Sequence, residues 1–313
     1  MGSSFAGPDV STQALGTLID VNLDDLFDAV GLTRLRHTAL QRLGLPSARR
    51  FARVAREFDD RVGDHGLAQG GSWLLHRMAG GMRLHGLERV PSTGPLVVVA
   101  NHPGMTDTVA LLAALAARPD LLVIALDRPF LRALPHVARH LIFVGDDPAS
   151  RMTVLRTAAR HLQQGGALLT FPAGEIEPDP AAFGRSRALE SLQRWSDSVV
   201  LFARFAPQTR FVPALVSNVV SAHAQRHWLT WLRRTPKDKE RLAAALQVAL
   251  PRYQTLVARV ALGPPQRAGA DPASLWPAIV AQMHHLIDAS GGDADRRSPP
   301  RQGERPGVPR PVA

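Results

Sequence analysis

From about residue 85 to residue 262 the chain alternates short aliphatic runs with longer stretches of helical periodicity, and that alternation is the strongest constraint on its fold. A run such as Leu96 to Ala100 has no polar side to turn toward water, so it belongs in a buried strand, with helices from the intervening segments covering it. The pattern predicts an α/β domain with a central mixed β-sheet flanked by helices. Strands are predicted at Leu96 to Ala100, Leu121 to Leu126, Leu141 to Val144, Ala167 to Phe171, Arg210 to Val216 and Thr255 to Leu262. Helices are predicted at Thr106 to Ala117, Phe130 to His140, Ala149 to Gln164, Arg187 to Phe205, Ala222 to Leu232, Lys237 to Ala249 and Pro272 to Ala289.

Ahead of this domain, apolar spacings of three and four among Leu15, Leu18, Ile19, Leu35, Ala39, Leu40 and Leu43 predict a helical N-terminal cap over residues 1–71. Gly63 to Gly71 is read as a glycine-rich loop. Ser72 to Leu84 is predicted to be one helix with Leu75, Met78 and Met82 on one face and Arg77 and Arg83 elsewhere. Such a basic amphipathic segment either packs on the core or lies in a membrane interface. The α/β domain is assigned to residues 72–289, and residues 290–313, which are rich in Pro, Gly and Arg, are expected to be a disordered tail.

Composition narrows the function classes. The chain has no cysteine, which removes disulfides, thiolate metal sites and cysteine nucleophiles together. A net charge of +10 carried almost entirely by arginine favours an anionic partner, a phosphate group or a membrane surface, although a GC-rich genome produces part of that bias by itself. One tyrosine and no aromatic residues interleaved with the basic ones argue against nucleic acid. The longest strongly apolar stretch, Val109 to Ala117, is about half of the roughly 20 residues that a bilayer-spanning helix needs. Residues 1–12 have neither a basic nor an apolar leader region, so an intracellular protein is expected.

The chemistry is concentrated in Val97 to Thr108, where a buried strand ends, a Pro-Gly turn follows and a helix begins. His102 is placed in the loop at a strand's carboxyl end, where sites gather in open α/β sheets, and Asp107 falls in the first helical turn. A carboxylate there can accept from the imidazole, hold one tautomer and stabilise the imidazolium, which makes His102 a candidate general base. With 12 histidines, chance supplies roughly 0.8 such His-x4-Asp pairs, so context has to carry the assignment. A second strand runs into the turn Phe171-Pro-Ala-Gly-Glu-Ile-Glu-Pro178, and a third carries Phe211 to Val216.

With these blocks in order, the chain resembles the phospholipid/glycerol acyltransferase family typified by 1-acylglycerol-3-phosphate acyltransferase. The family's Asn-His-x4-Asp block matches Asn101, His102 and Asp107, its Phe-Pro-Glu-Gly-Thr-Arg block matches Phe171, Pro172 and Gly174, and its Val-Pro block matches Val212 and Pro213. The resemblance covers about residues 85–220. It implies direct transfer of a fatty acyl group from acyl-CoA or acyl-ACP to the hydroxyl of a lysolipid or glycerolipid. His102 would be the base and Asp107 its orienter, with no cofactor beyond the thioester co-substrate. It also implies work at the inner face of a membrane by a cytoplasmic, peripherally associated protein. The absence of a Gly-x-Ser-x-Gly elbow removes the rival serine hydrolase.

The departures lie where the family grips its acceptor. Ala173 stands in place of the block's Glu and Ile176 in place of its Arg, and Asp146 occupies the arginine position of a further block aligned with Leu141 to Asp146. This Phe-Pro-Ala-Gly-Glu variant resembles a branch whose acceptors carry no simple phosphate monoester. Asn101, Phe171, Pro172, Gly174, Glu175 and Arg151 are the expected substrate-binding residues, with Arg185 and Arg187 as further substitutes for the lost arginines. Backbone N–H groups between Pro172 and Glu175 are candidate oxyanion donors. Glu177 is read as solvated, and His136 and His140, four apart with no third ligand in view, are not read as a metal site. A non-catalytic lipid-binding or regulatory protein that keeps the fold is the alternative.

Overall fold

The structure, a computed structural model, describes residues 16–24, 41–145, 147–268 and 274–292. Most of the expected tail, Asp146 and two stretches of the expected N-terminal cap therefore lie outside the described residues.

The strands are β1 (Met82–His85), β2 (Leu96–Ala100), β3 (Leu121–Leu126), β4 (Leu141–Val144), β5 (Ala167–Thr170), β6 (Arg210–Ser217), β7 (Ala258–Leu262) and the two-residue β8 (Gln266–Arg267). They form one sheet in the order β1-β7-β6-β2-β5-β3-β4, with β8 also against β6. Every pairing is parallel except those of β6 with β7 and β8, so the sheet is mixed, as the sequence predicts. β3 and β4 fall on their predicted residues.

β2 lies at the centre with all five residues fully buried, because its alternate side chains feed two different cores. Val98 and Ala100 face α2 (Gln41–His65), α3 (Leu67–Met78) and α4 (Met105–Ala114) in one apolar cluster. Val97 and Val99 face α7 (Pro148–Gln163), α9 (Arg185–Ser191), α10 (Val199–Phe205) and α13 (Leu275–Gly292) in the other. Each such buried aliphatic side chain contributes about 1.5–3 kcal/mol, which makes this double-sided packing the main support of the sheet.

Five expectations are corrected. The helix expected over Arg187 to Phe205 is interrupted between Ser191 and Val199, and the one expected over Ala222 to Leu232 stops at Gln225 and gives way to a tight 3-10 turn over Trp228 to Leu232. The Gly63 to Gly71 loop is a single-residue break: α2 runs to His65, Gly66 turns at φ 84, and α3 starts at Leu67. The helix expected over Ser72 to Leu84 stops at Met78, and Met82 to His85 is the edge strand β1, since Gly80 lets the chain pass against the backbone of Thr255. Leu74, Leu75 and Met78 are buried in the core, so the helical part of this segment does not present its apolar face to a membrane. The helix expected over Phe130 to His140 divides into α5 (Pro129–Arg132) and α6 (Pro135–Ala138), because Pro135 forces Leu134 out of helical geometry.

The expected cap is not set apart. Ala52, Ala55, Phe58 and Val62 of α2 share a core with Val98 and Leu169, and the boundary expected at residue 71 falls inside α3. Residues 290–292, expected to open the tail, continue α13. The remaining helical pieces are α1 (16–24), α8 (Pro180–Phe183), α11 (Ala222–Gln225) and α12 (Pro236–Ala249).

Candidate active site

Parallel β2, β5, β3, β4 and β6 all end at the same edge of the sheet, and the expected site residues lie along it. At the end of β2 the Asn101 side chain donates to the carbonyl of Val216 at 2.9 Å and accepts from its N–H at 2.7 Å. Both functions of this buried amide are thus spent on β6, so Asn101 is a clamp that sets where His102 leaves the sheet, and not the acceptor contact expected of it.

His102 Nδ1 lies 2.9 Å from Asp107 Oδ2. That oxygen also accepts from Gly104 N–H at 3.0 Å, and Oδ1 accepts from the N–H and hydroxyl of Thr108. Asp107 is 0% exposed at the start of α4, where the helix's free N–H groups favour a negative charge, whereas the His102 side chain is 27% exposed. Burial pulls the His102 pKa down, but the charge and hydrogen bond of Asp107, with Glu177 adding in the same sense, outweigh it and hold the imidazole above its ordinary 6.5. With Nδ1 engaged by a carboxylate, Nε2 is the nitrogen left to accept a proton.

The strap from Phe171 to Asp179 closes the other side. The Phe171 ring sits 4.7 Å from the imidazole, centroid to centroid. Gly174 turns the strap at φ 64, with its N–H on Phe171 O at 3.1 Å. Glu175 is exposed and pairs with Arg194 at 3.1 Å, so it faces solvent and fixes no buried group.

Glu177, expected to be solvated, is buried. Its Oε2 accepts from the His102 N–H at 2.9 Å, and its own N–H donates to His102 O at 2.8 Å. Its Oε1 accepts from Trp195 Nε1 at 2.6 Å and Ser191 Oγ at 3.0 Å. Burial raises the Glu177 pKa against the lowering effect of these donors. Asp179, unforeseen in the sequence, is buried with four backbone N–H groups on its carboxylate, those of Ala181, Asn218, Val219 and Val220. The strap therefore holds the His102 loop through Glu177 and the segment after β6 through Asp179.

The arginines are distributed differently from expectation. Arg151 is exposed on the first turn of α7, which follows β4, three strands from β2 and so about 14 Å away across the sheet. Arg185 pairs with Asp288 at 2.6 Å, and Arg187 pairs with Glu240 at 3.0 Å. Neither of these two guanidinium groups is turned to His102. Among the described residues no group of three or more His, Asp or Glu side chains is arranged to hold a metal ion.

Residues 81–217, from just before β1 to the end of β6, match the family model described as Acyltransferase. No curated protein matches the chain. Among solved structures it is similar to the crystal structure of the 1-acyl-sn-glycerophosphate (LPA) acyltransferase, PlsC, from Thermotoga maritima, at 15% identity and a TM-score of 0.44, covering 91% of this chain and 100% of that one.

Proposed function

We propose, from the match of residues 81–217 to the acyltransferase family model, that the protein is an acyltransferase that moves a fatty acyl group from acyl-CoA or acyl-ACP to the hydroxyl of a lysolipid or glycerolipid. One observation carries this reading beyond the family: the partly exposed imidazole held through Nδ1 by a fully buried carboxylate, at the open edge of the sheet.

In this mechanism His102 Nε2 takes the acceptor's hydroxyl proton as its oxygen attacks the thioester carbonyl carbon. Asp107 keeps the tautomer and stabilises the imidazolium without itself being protonated. The carbonyl becomes an oxyanion, then re-forms as the carbon–sulfur bond breaks. The departing thiolate recovers the proton from His102, leaving an ester and a free thiol. Within the strap, Gly174 N–H is taken by Phe171 and Pro172 has none, so Ala173 and Glu175 supply the candidate N–H donors to the oxyanion.

Ile176 in the family's arginine position, and the pairing of Arg185 and Arg187 elsewhere, favour an acceptor that is not gripped by a phosphate monoester. The acceptor is an amphiphile, so the reaction belongs at a membrane surface, which we assign to the cytoplasmic face. Among the described residues no helix is long and apolar enough to cross a membrane. The test is transfer from labelled palmitoyl-CoA and palmitoyl-ACP to acceptors with and without a phosphate monoester. His102→Ala is expected to lower the rate by about 10²- to 10⁴-fold.

A further inference from the structure

Among the described residues, seven of the nine large apolar side chains left in water lie at or beyond carboxyl ends of the parallel strands, and the other two, Leu87 and Phe205, do not. Met105 opens the helix after β2, Leu126 ends β3, Met152 lies near the start of the helix after β4, and Ile176 is on the strap after β5. All are exposed, and all follow carboxyl ends of parallel strands. The densest group comes after β6, where Trp228, Trp231 and Leu232 are 64%, 78% and 65% exposed. Large apolar side chains exposed together, as Trp228, Trp231 and Leu232 are within five residues, mark an interaction site.

The turn that carries these side chains is built to hold them out. Thr230 is buried, and its hydroxyl donates to His227 O at 2.7 Å and to Gln225 O at 3.1 Å. Leu229 N–H is capped by His227 Nδ1 at 3.2 Å. Upstream, Gln247 of α12 bonds Ser221 N–H and Val219 O, while Asp179 holds Asn218 to Val220. The tryptophans thus stand on a pinned turn that shares the strap with His102.

Around them the charge has one sign. Residues 221–235 contain Arg226, Arg233, Arg234, His223 and His227 and no Asp or Glu. Arg226, Arg234 and Arg252 are exposed and have no carboxylate partner among the described residues, and the next carboxylate along the chain, Asp238, is taken by Arg233 at 3.2 Å. His223, Arg226, His227, Trp228, Arg252 and Tyr253 line a shallow depression beside the tryptophans. Tryptophan suits the boundary between acyl chains and headgroups, and arginine suits the anionic phosphates there.

We propose that the 221–235 turn, with Arg252, docks the protein on an anionic lipid bilayer and sets the His102 edge against the membrane surface. The proposal rests on the reading of the acceptor as a membrane amphiphile, and it replaces the Ser72 to Leu84 segment as the membrane-facing element. Trp228 and Trp231 enter the interface, and Arg226, Arg234 and Arg252 meet lipid phosphates.

The experiment is co-sedimentation of the full-length protein, without acyl donor, with vesicles of phosphatidylglycerol or of phosphatidylcholine. Binding is expected to the former, to weaken at high salt, and to fall at least about tenfold in Trp228→Ala/Trp231→Ala. Arg226→Gln and Arg234→Gln should each weaken it about fivefold. Phosphatidylglycerol brominated along its acyl chains should quench part of the tryptophan emission of the unaltered protein, a readout that needs no variant to fold. His102→Ala should bind vesicles as the parent does, so docking and transfer can fail separately. Equal binding to both lipids, unchanged binding by the tryptophan variant, no quenching, or no binding at all, which would leave the surface to a protein partner, would overturn the proposal.

Discussion

At the scale of single residues the site is a matter of who satisfies whom. His102 and Asp107 were legible because their relation is local: a five-residue offset across a strand-to-helix turn puts the carboxylate beside the imidazole. Glu177 was not legible, since its partners Ser191 and Trp195 lie 14 and 18 residues further along and meet it only in the folded chain. Asn101 was misread for the same reason, its partner Val216 being 115 residues away. Glu177→Ala strands two donors, the His102 N–H and Trp195 Nε1, since the Ser191 hydroxyl keeps its 2.7 Å bond to Ala188 O, at about 1–3 kcal/mol for each buried group left unpaired. It should lower the melting temperature far more than Glu175→Ala, which removes only an exposed ion pair. Comparable melting of the two variants would contradict the buried role. The pH profile is a second residue-scale prediction. A base works in its neutral form, so transfer should rise as His102 loses its proton, with the acid limb of kcat/KM above 6.5. Asp107→Asn removes the two leading influences that raise this pKa and leaves burial opposed by Glu177 alone, so the limb should move to lower pH while the rate falls. An unmoved limb would separate the limb from His102.

At the scale of elements, what was local in the pattern came through and what depended on packing did not. β3 and β4 could be read to the residue because their apolar runs end in turn residues. The spacing of Leu75, Met78 and Met82 continues a helical period across Gly80 and Gly81, and only the sheet edge offered by β7 makes Met82 to His85 a strand. The supposed glycine loop at residues 63–71 is mostly helix because its glycines serve close approach: a Cβ on Gly71 would lie 2.7 Å from Leu112 Cβ in α4. Gly71→Val should therefore destabilise the protein by about 1–3 kcal/mol through overpacking. Thermal unfolding measures it, and a melting temperature equal to the parent's would show that α3 and α4 are not in close contact there.

Across the whole molecule, the mixed sheet gathers at one edge the residues proposed for chemistry and those proposed for docking, and a single strap braces both through Glu177 and Asp179. The arrangement accounts for exposed tryptophans on a turn that is itself pinned, and it sets His102 where an amphiphile could be presented from a bilayer. The charge excess visible in the composition finds a place in the acid-free turn after β6, which no motif in the sequence marked. The most direct test is acyl transfer from labelled palmitoyl-CoA and palmitoyl-ACP to hydroxylated lipids in phosphatidylglycerol vesicles, parent beside His102→Ala. The account predicts labelled ester from the parent and a loss of about 10²-fold or more in the variant. Ester formed at the same rate by both proteins would contradict it.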